Sequence, residues 1–169
     1  MTERLLVRDL MTVGVATCSP ATPVIEVARL LLEQNLEGIV VLDIEGQATG
    51  VVTQDELVQA YTRKDGRELT AEDIMRADIP RFLPDIPLAT AAQLMQDQGV
   101  RVAFYLHQAS GVFYPAAVLT YRHFLRHLAA QNDDDLKDLG IKAARQSPLE
   151  TFIQRRDEAR RKHQFPQQE

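Results

Sequence analysis

Residues 8–31 recur, in type and spacing, 64 positions further along the chain. RDLM (Arg8–Met11) returns as EDIM (Glu72–Met75), and Pro20 and Pro23 fall on Pro84 and Pro87. The same shift lays Val24, Val27, Ala28 and Leu31 over Leu88, Ala91, Ala92 and Met95. Both quartets step i, i+3, i+4, i+7, the apolar stripe of a helix lying on a core. Thr22 is a predicted N-cap, with Pro23 at the first helical position, where no backbone donor is needed. A duplication of this length confines the chain to folds built from two like halves.

The remainder of each half is a hairpin and a second helix. GIVVLD (Gly38–Asp43) and RVAFYLH (Arg101–His107) are apolar strand runs, each followed by a glycine-containing turn. A second run follows each turn: ATGVVT (Ala48–Thr53) and GVFYPAAVLT (Gly111–Thr120). Thr53 matches Thr120 at an offset of 67, so the second hairpin is three residues longer. Helices are predicted over about residues 54–63 and 121–131, and RKDGRE (Arg63–Glu68) is a polar linker. Each half reads strand, helix, strand, strand, helix. Neither half can bury both faces of its helices alone, so the two are expected to pack sheet to sheet around a shared core. The first helix also carries Ile25, Leu30 and Leu32 outside its stripe. That leaves two readings, a wider intramolecular core or a dimer contact, and the dimer is preferred because a small paired module has little interior to spare.

Composition excludes several classes. The chain has 169 residues, 45% apolar and 25% charged, which is ordinary globular usage. No apolar run approaches the ~20 residues that span a bilayer, and the first residues do not read as a signal peptide. Cys18 is the single cysteine, which fits a reducing cytoplasm. A net charge of −5 argues against general nucleic-acid binding.

With VRDLMT, SPATPVIEVARLLLE, EGIVVLD and GVVTQDEL in this order, and their echo in the second half, the chain resembles a tandem pair of cystathionine-β-synthase-type (CBS) domains, a Bateman module. The resemblance covers about Leu6 to Ala130. It implies an α/β (α+β) fold of two β-α-β-β-α repeats, a first CBS domain over 6–66 and a second over 67–130; residues 131–169 lie beyond the resemblance and are read separately as a helical tail. It further implies clefts between the repeats that take adenosine-type ligands (AMP, ATP or S-adenosylmethionine), a homodimer formed through helices, and a regulatory role without catalysis.

The family's site pattern is a glycine, two apolar residues, a hydroxyl, two variable positions and an aspartate whose carboxylate meets ribose hydroxyls. In the first repeat those positions are Gly50, Thr53 and Glu56, with Gln54 and Asp55 between. Asp55 is expected to oppose a polyphosphate by like charge, which favours an uncharged or cationic adenosine derivative. The second repeat has Ala117, Thr120 and His123, with Tyr121 and Arg122 between and Arg126 one turn on. That cleft suits a phosphate but lacks the ribose carboxylate. By position in the family, Ala16, Thr17, Gly38, Ile39 and Val40 would complete the first cleft wall, although the same residues serve equally as core strands. Thr53 and Glu56 also form a Thr-x-x-Glu capping box, a role compatible with ligand binding.

His123 and His127 stand four apart on a predicted helix, but no further metal ligand is evident in the sequence. There is no Ser–His–Asp signature, glycine-rich phosphate loop or Cys-x-x-Cys to support an enzyme reading. In the tail, SPLE (Ser147–Glu150) is a second capping box, and a helix is predicted to about Lys162 with Leu149, Phe152 and Ile153 on one side. It is read as either a docked helix or a partner-binding or subunit-crossing one. Eight acidic and eight basic side chains after residue 130 leave no basic excess for nucleic acid.

Overall fold

The computed structural model describes residues 5–132 and Asp135. The tail helix predicted over 147–162, and with it the docking or partner role, lies outside these residues. In chain order the elements are α1 (Val7–Leu10), β1 (Thr12–Val13), β2 (Thr17–Cys18), α2 (Val24–Glu33), β3 (Gly38–Leu42), β4 (Ala48–Thr53), α3 (Gln54–Tyr61), α4 (Ala71–Ile74), α5 (Leu88–Asp97), β5 (Val102–Ala109), β6 (Val112–Thr120) and α6 (Tyr121–Ala129). They form two three-stranded sheets, β2-β3-β4 and β1-β6-β5.

The duplication is visible in the backbone. Each hairpin is antiparallel and each has one bulge, between Val41 and Leu42 in the first and between Tyr105 and Leu106 in the second. The partner of Leu42 is Ala48 and that of Leu106 is Pro115, so Thr49 and Ala116 are the extra residues. Thr49 and Ala116 are themselves 67 apart, the offset at which the sequence repeat resumes. Proline is tolerated next to such a bulge because the ladder is already interrupted there. The first strand of the second repeat contracts to a single parallel bridge, Arg81 to Phe104. Pro80 and Pro84 flank it, and neither has an N–H to extend the ladder.

Strand alternation divides the interior into three layers. Ile39 and Val41 pack with Val27 and Leu31 of α2, and Ala103, Ala117 and Leu119 pack with Leu88, Ala91 and Met95 of α5. The opposite faces meet in a sheet-to-sheet core of Val40, Ala48, Val51, Ile79, Val102 and Phe104. Leu30 packs against the first of these clusters, whereas Ile25 and Leu32 are exposed, so the two readings of that helix divide between its residues.

The helices α2 and α5 begin where their apolar stripes do, at Val24 and Leu88, so α2 starts one residue later than a Thr22 cap with Pro23 at the first helical position would have it. Pro23 is the N-cap, with extended ψ of 141°, and its carbonyl accepts from Val27 N at 3.1 Å. Its extended backbone also bridges to Thr70, and Pro87 does the same with Leu6. Thr22 Oγ1 accepts from Ser19 N instead of capping the helix.

These bridges belong to an exchange of segments. Val7, Leu10 and Met11 are buried with the core of the second repeat, and Ala71 with that of the first, where Met75 also packs. Thr12 and Val13 pair with Val118 and Ala117, and in the other sheet Arg76 bridges to Val51. Thr12 and Arg76 are 64 apart, and Val51 and Val118 are 67 apart, so these are the same contact made twice. Each repeat therefore lends its leading segment to the edge of the other's sheet. Asp9 accepts from Leu6 N and Asp73 from Thr70 N, both at 2.8 Å, fixing the two lent turns alike.

Candidate functional site

At the end of β4, Thr53 leaves the sheet in extended conformation and caps α3. Glu56 folds back so that its Oε2 accepts from Thr53 N at 2.8 Å and from the Thr53 hydroxyl, while Asp55 N donates to Thr53 Oγ1 at 3.2 Å. The capping box read from the sequence is thus formed, and Thr53 is buried. The Glu56 carboxylate is engaged with the helix start. Asp55 projects outward, its side chain 67% exposed.

Asp55 borders a shallow cleft that is open to solvent. The near wall is Thr53, Gln54 and Asp55 with Glu37, and the far wall is Arg76 and the run Gly99–Val102. Both repeats thus build it. Arg76 Nε lies 4.0 Å from Glu56 Oε1, and an Arg101 guanidinium nitrogen lies 3.8 Å from Asp55 Oδ1. Both separations permit Coulombic attraction and are too long for hydrogen bonds. Arg76 Nε is buried and makes no hydrogen bond.

Gly38 lies at the junction, where an added Cβ would meet Thr53 Cγ2 at 3.1 Å and Val102 Cγ1 at 3.3 Å. Ile39 and Val40 are fully buried, on opposite faces of β3. Ala16 offers its carbonyl to Val40 N at 3.1 Å, and Thr17 is paired with Val40 in β2. These residues position the cleft from beneath, and their side chains do not form its wall as described above.

The counterpart in the second repeat is arranged differently. Thr120 N donates to His123 Nδ1 at 3.0 Å, and Thr12 Oγ1 is 2.9 Å from His123 Nε2. A backbone N–H can only donate, so Nδ1 carries the lone pair and Nε2–H donates to Thr12. Burial is the main cause lowering the His123 pKa to about 4, and Arg126 and Arg122 add to the lowering. Thr12, Thr120 and His123 satisfy one another, and Arg122 stands where the first repeat has Asp55. With both ring nitrogens engaged, His123 has no lone pair turned toward a shared metal with His127, and the described residues contain no group of three or more potential metal ligands. Burial likewise raises the Cys18 thiol, opposed by a contact with Thr22, which does not favour a nucleophile.

The CBS domain family profile matches residues 7–63 and 71–130. The chain belongs to the CBS domain family. It is 31% identical over 97 residues to the CBS domain-containing protein YhcV of Bacillus subtilis, an alignment covering 56% of this chain and 68% of YhcV. It spans between 19% and 57% of the length of three other curated relatives it matches. Among solved structures, the CBS domain pair of protein MJ0100, in complex with 5′-methylthioadenosine and S-adenosyl-L-methionine, aligns with TM-score 0.67 at 18% identity, covering 77% of this chain and all of that one. CBSX2 in complex with AMP aligns with TM-score 0.59 at 23% identity, covering 73% and 95%. These likenesses show the CBS-pair fold. No helix among the described residues is long and apolar enough to cross a membrane.

Reading the strand end alone missed Glu37, Arg76, Gly99, Val100, Arg101 and Val102. The repeat offers a partial signal, because Arg76 aligns with Thr12 and Arg101 with Glu37, each pair differing in charge. What it does not reveal is that Arg76 crosses to the other repeat.

Proposed function

We propose that this CBS pair binds an adenosine-type ligand in the first cleft and thereby regulates a partner protein, without catalysing a reaction itself. The observation that carries the reading is the exposed Asp55 carboxylate beside Thr53, at the head of α3, facing a wall supplied by the other repeat. A carboxylate there can accept from ribose hydroxyls. A ligand touching both repeats favours one arrangement of them over others, which is how binding would be read by a partner. The adenosine ligands of the MJ0100 pair and CBSX2 support the ligand class. In this reading Asp55 takes the ribose, while Glu56 holds Thr53 in place. The second cleft, with Thr120, Arg122 and His123, is left out because its hydroxyl and imidazole are mutually bonded. The test is calorimetric titration with adenosine. Saturable binding is expected, weakened about tenfold or more by Asp55→Ala, since a hydrogen bond to a charged group contributes about 1.5–3 kcal/mol. Absence of binding would support the competing reading, an interaction module without a nucleotide, which the inward-turned Glu56 favours.

A homodimer through the helices is part of the same proposal. Val58 and Tyr61 of α3 are exposed, and so are Leu125 and Leu128 of α6, at the same positions of the repeat. Ile25, Leu32 and Leu94 extend the apolar exposure to α2 and α5. Sedimentation velocity at micromolar concentration is expected to give a dimer that Val58→Glu with Leu125→Glu converts to monomer; a wild-type monomer would refute it. The single Cys18 suits the reducing cytoplasm, where such a module is expected to work.

A further inference from the structure

The exchange of leading segments also sorts the charge of the molecule. Residues 14–76, the first sheet together with the segment lent to it, carry eleven acidic and five basic side chains. Residues 5–13 and 77–132, which build the second, carry four acidic and five basic. The imbalance reaches the helices. Four acidic side chains and one basic lie on α2 and α3, against one acidic and two basic on α5 and α6. The exposed apolar residues, by contrast, match. Val58 and Tyr61 of α3 correspond to Leu125 and Leu128 of α6, 67 residues on, and all four are exposed. One turn before each pair stands a charge, Asp55 in α3 and Arg122 in α6.

We infer that a second copy of the chain docks head to tail, with α3 of each chain against α6 of its partner, and not α3 on α3 and α6 on α6. This orientation rests on the helix-mediated homodimer proposed above and goes beyond it by choosing which helices meet. A twofold dimer through this face can close in either way, because the two repeats expose apolar residues at the same positions. Val58, Tyr61, Leu125 and Leu128 are covered in both, so the apolar gain does not choose between them. Charge does. Like-on-like packing sets the two acidic halves of the dimer together. Head-to-tail packing sets each acidic half against one with a slight basic excess. Complementary charge of this kind fixes orientation more than it adds affinity. The Debye length is about 8 Å at physiological salt, so the charges on the paired helices decide and remote ones do not. In this dimer the helix that opens on the first cleft of one chain abuts the His123-capped helix of the other.

Thiol crosslinking of the full chain tests this, in a Cys18→Ser background that leaves only the introduced cysteine. Val58 and Leu125 are central to their stripes, so under head-to-tail packing they oppose each other whichever way the paired helices run. A mixture of Val58→Cys and Leu125→Cys chains is expected to give a crosslinked dimer with a short bismaleimide, and either variant alone is expected to give none above background. Arg122→Glu supplies a second readout. It turns an attraction into a repulsion at both contacts of the twofold pair, and is expected to weaken the dimer about threefold or more in sedimentation velocity. Like-on-like packing would leave two small like charges facing each other before and after that change. Unfolding curves for each variant establish that it is folded. Crosslinking by Val58→Cys alone, with the mixture no better, overturns the orientation and leaves the dimer standing. Dimerisation unchanged by Arg122→Glu overturns the orientation too. A wild-type dimer in which neither the mixture nor the single variants crosslink overturns the choice of face as well. A wild-type monomer removes the dimer and its orientation together.

Discussion

Truncating Phe104 to alanine is expected to lower the unfolding free energy by about 3–5 kcal/mol, the range for deleting a buried phenylalanine. Phe104 is fully buried at the middle of the sheet-to-sheet core, against Val40, Val51, Ile79 and Val102. Its repeat counterpart is Val40, also fully buried, so a large side chain on one sheet is opposed by a smaller one on the other. The backbone of Phe104 further accepts from Phe82 N and donates to Pro80 O. Those bonds persist in the variant, so the loss reports the packing. Leu83→Ala, at a position 66% exposed, is expected to stay within about 0.5 kcal/mol of wild type. Urea unfolding followed by circular dichroism measures both. A Phe104→Ala loss below about 1 kcal/mol would show that the two repeats do not depend on this core. Because the walls of the cleft come from both repeats, the variant is also expected to bind ligand more weakly.

The second large effect is a dependence of stability on pH carried by His123. The folded protein holds its pKa at about 4, and an unfolded histidine titrates near about 6.5. The unfolded chain therefore binds the proton more readily, and stability rises with pH through this interval. The contribution is fully present above about pH 6.5 and is lost as pH falls toward about 4. Between pH 7 and pH 5 the loss is expected to be about 2 kcal/mol, before most carboxylates titrate. The cause is geometric as well as dielectric. A protonated Nδ1 would place one N–H against the Thr120 N–H. His123→Gln supplies the control, since an amide oxygen can accept from Thr120 N as Glu56 does from Thr53 N. Its unfolding free energy is expected to be nearly flat between pH 7 and pH 5. Equal slopes in both proteins would show that His123 is not the titrating group.

Much of the architecture was legible because the chain states it twice. The hairpins follow from paired apolar runs around glycine-containing turns, and the change of offset from 64 to 67 marks the longer second hairpin. Glycine turns were equally plain, since Gly46 and Gly111 both take φ of +82°, which side chains rarely adopt. The exchange of leading segments was not legible. The helices α1 and α4 have four residues each, too few for a periodic stripe, and which core they cover is settled by tertiary packing. Thr53 and Glu56 were found because a strand end and a capping box have local patterns. Arg76 and Arg101 have none, and only the crossing of Arg76 to Val51 brings its charge to Asp55's cleft. The start of α2 shifted by one residue for the same reason, since Pro23 is drawn into a bridge with Thr70.

The unequal clefts carry the central claim, and the stoichiometry of the adenosine-type titration tests it most directly. One repeat presents an exposed Asp55 carboxylate across a cleft from Arg76 and Arg101, and the other has its hydroxyls and imidazole bonded among themselves. Calorimetry with the tightest-binding compound is predicted to saturate at one equivalent per chain, with Asp55→Ala abolishing or greatly weakening that single event. Two equivalents per chain, or one equivalent indifferent to Asp55, would contradict the account.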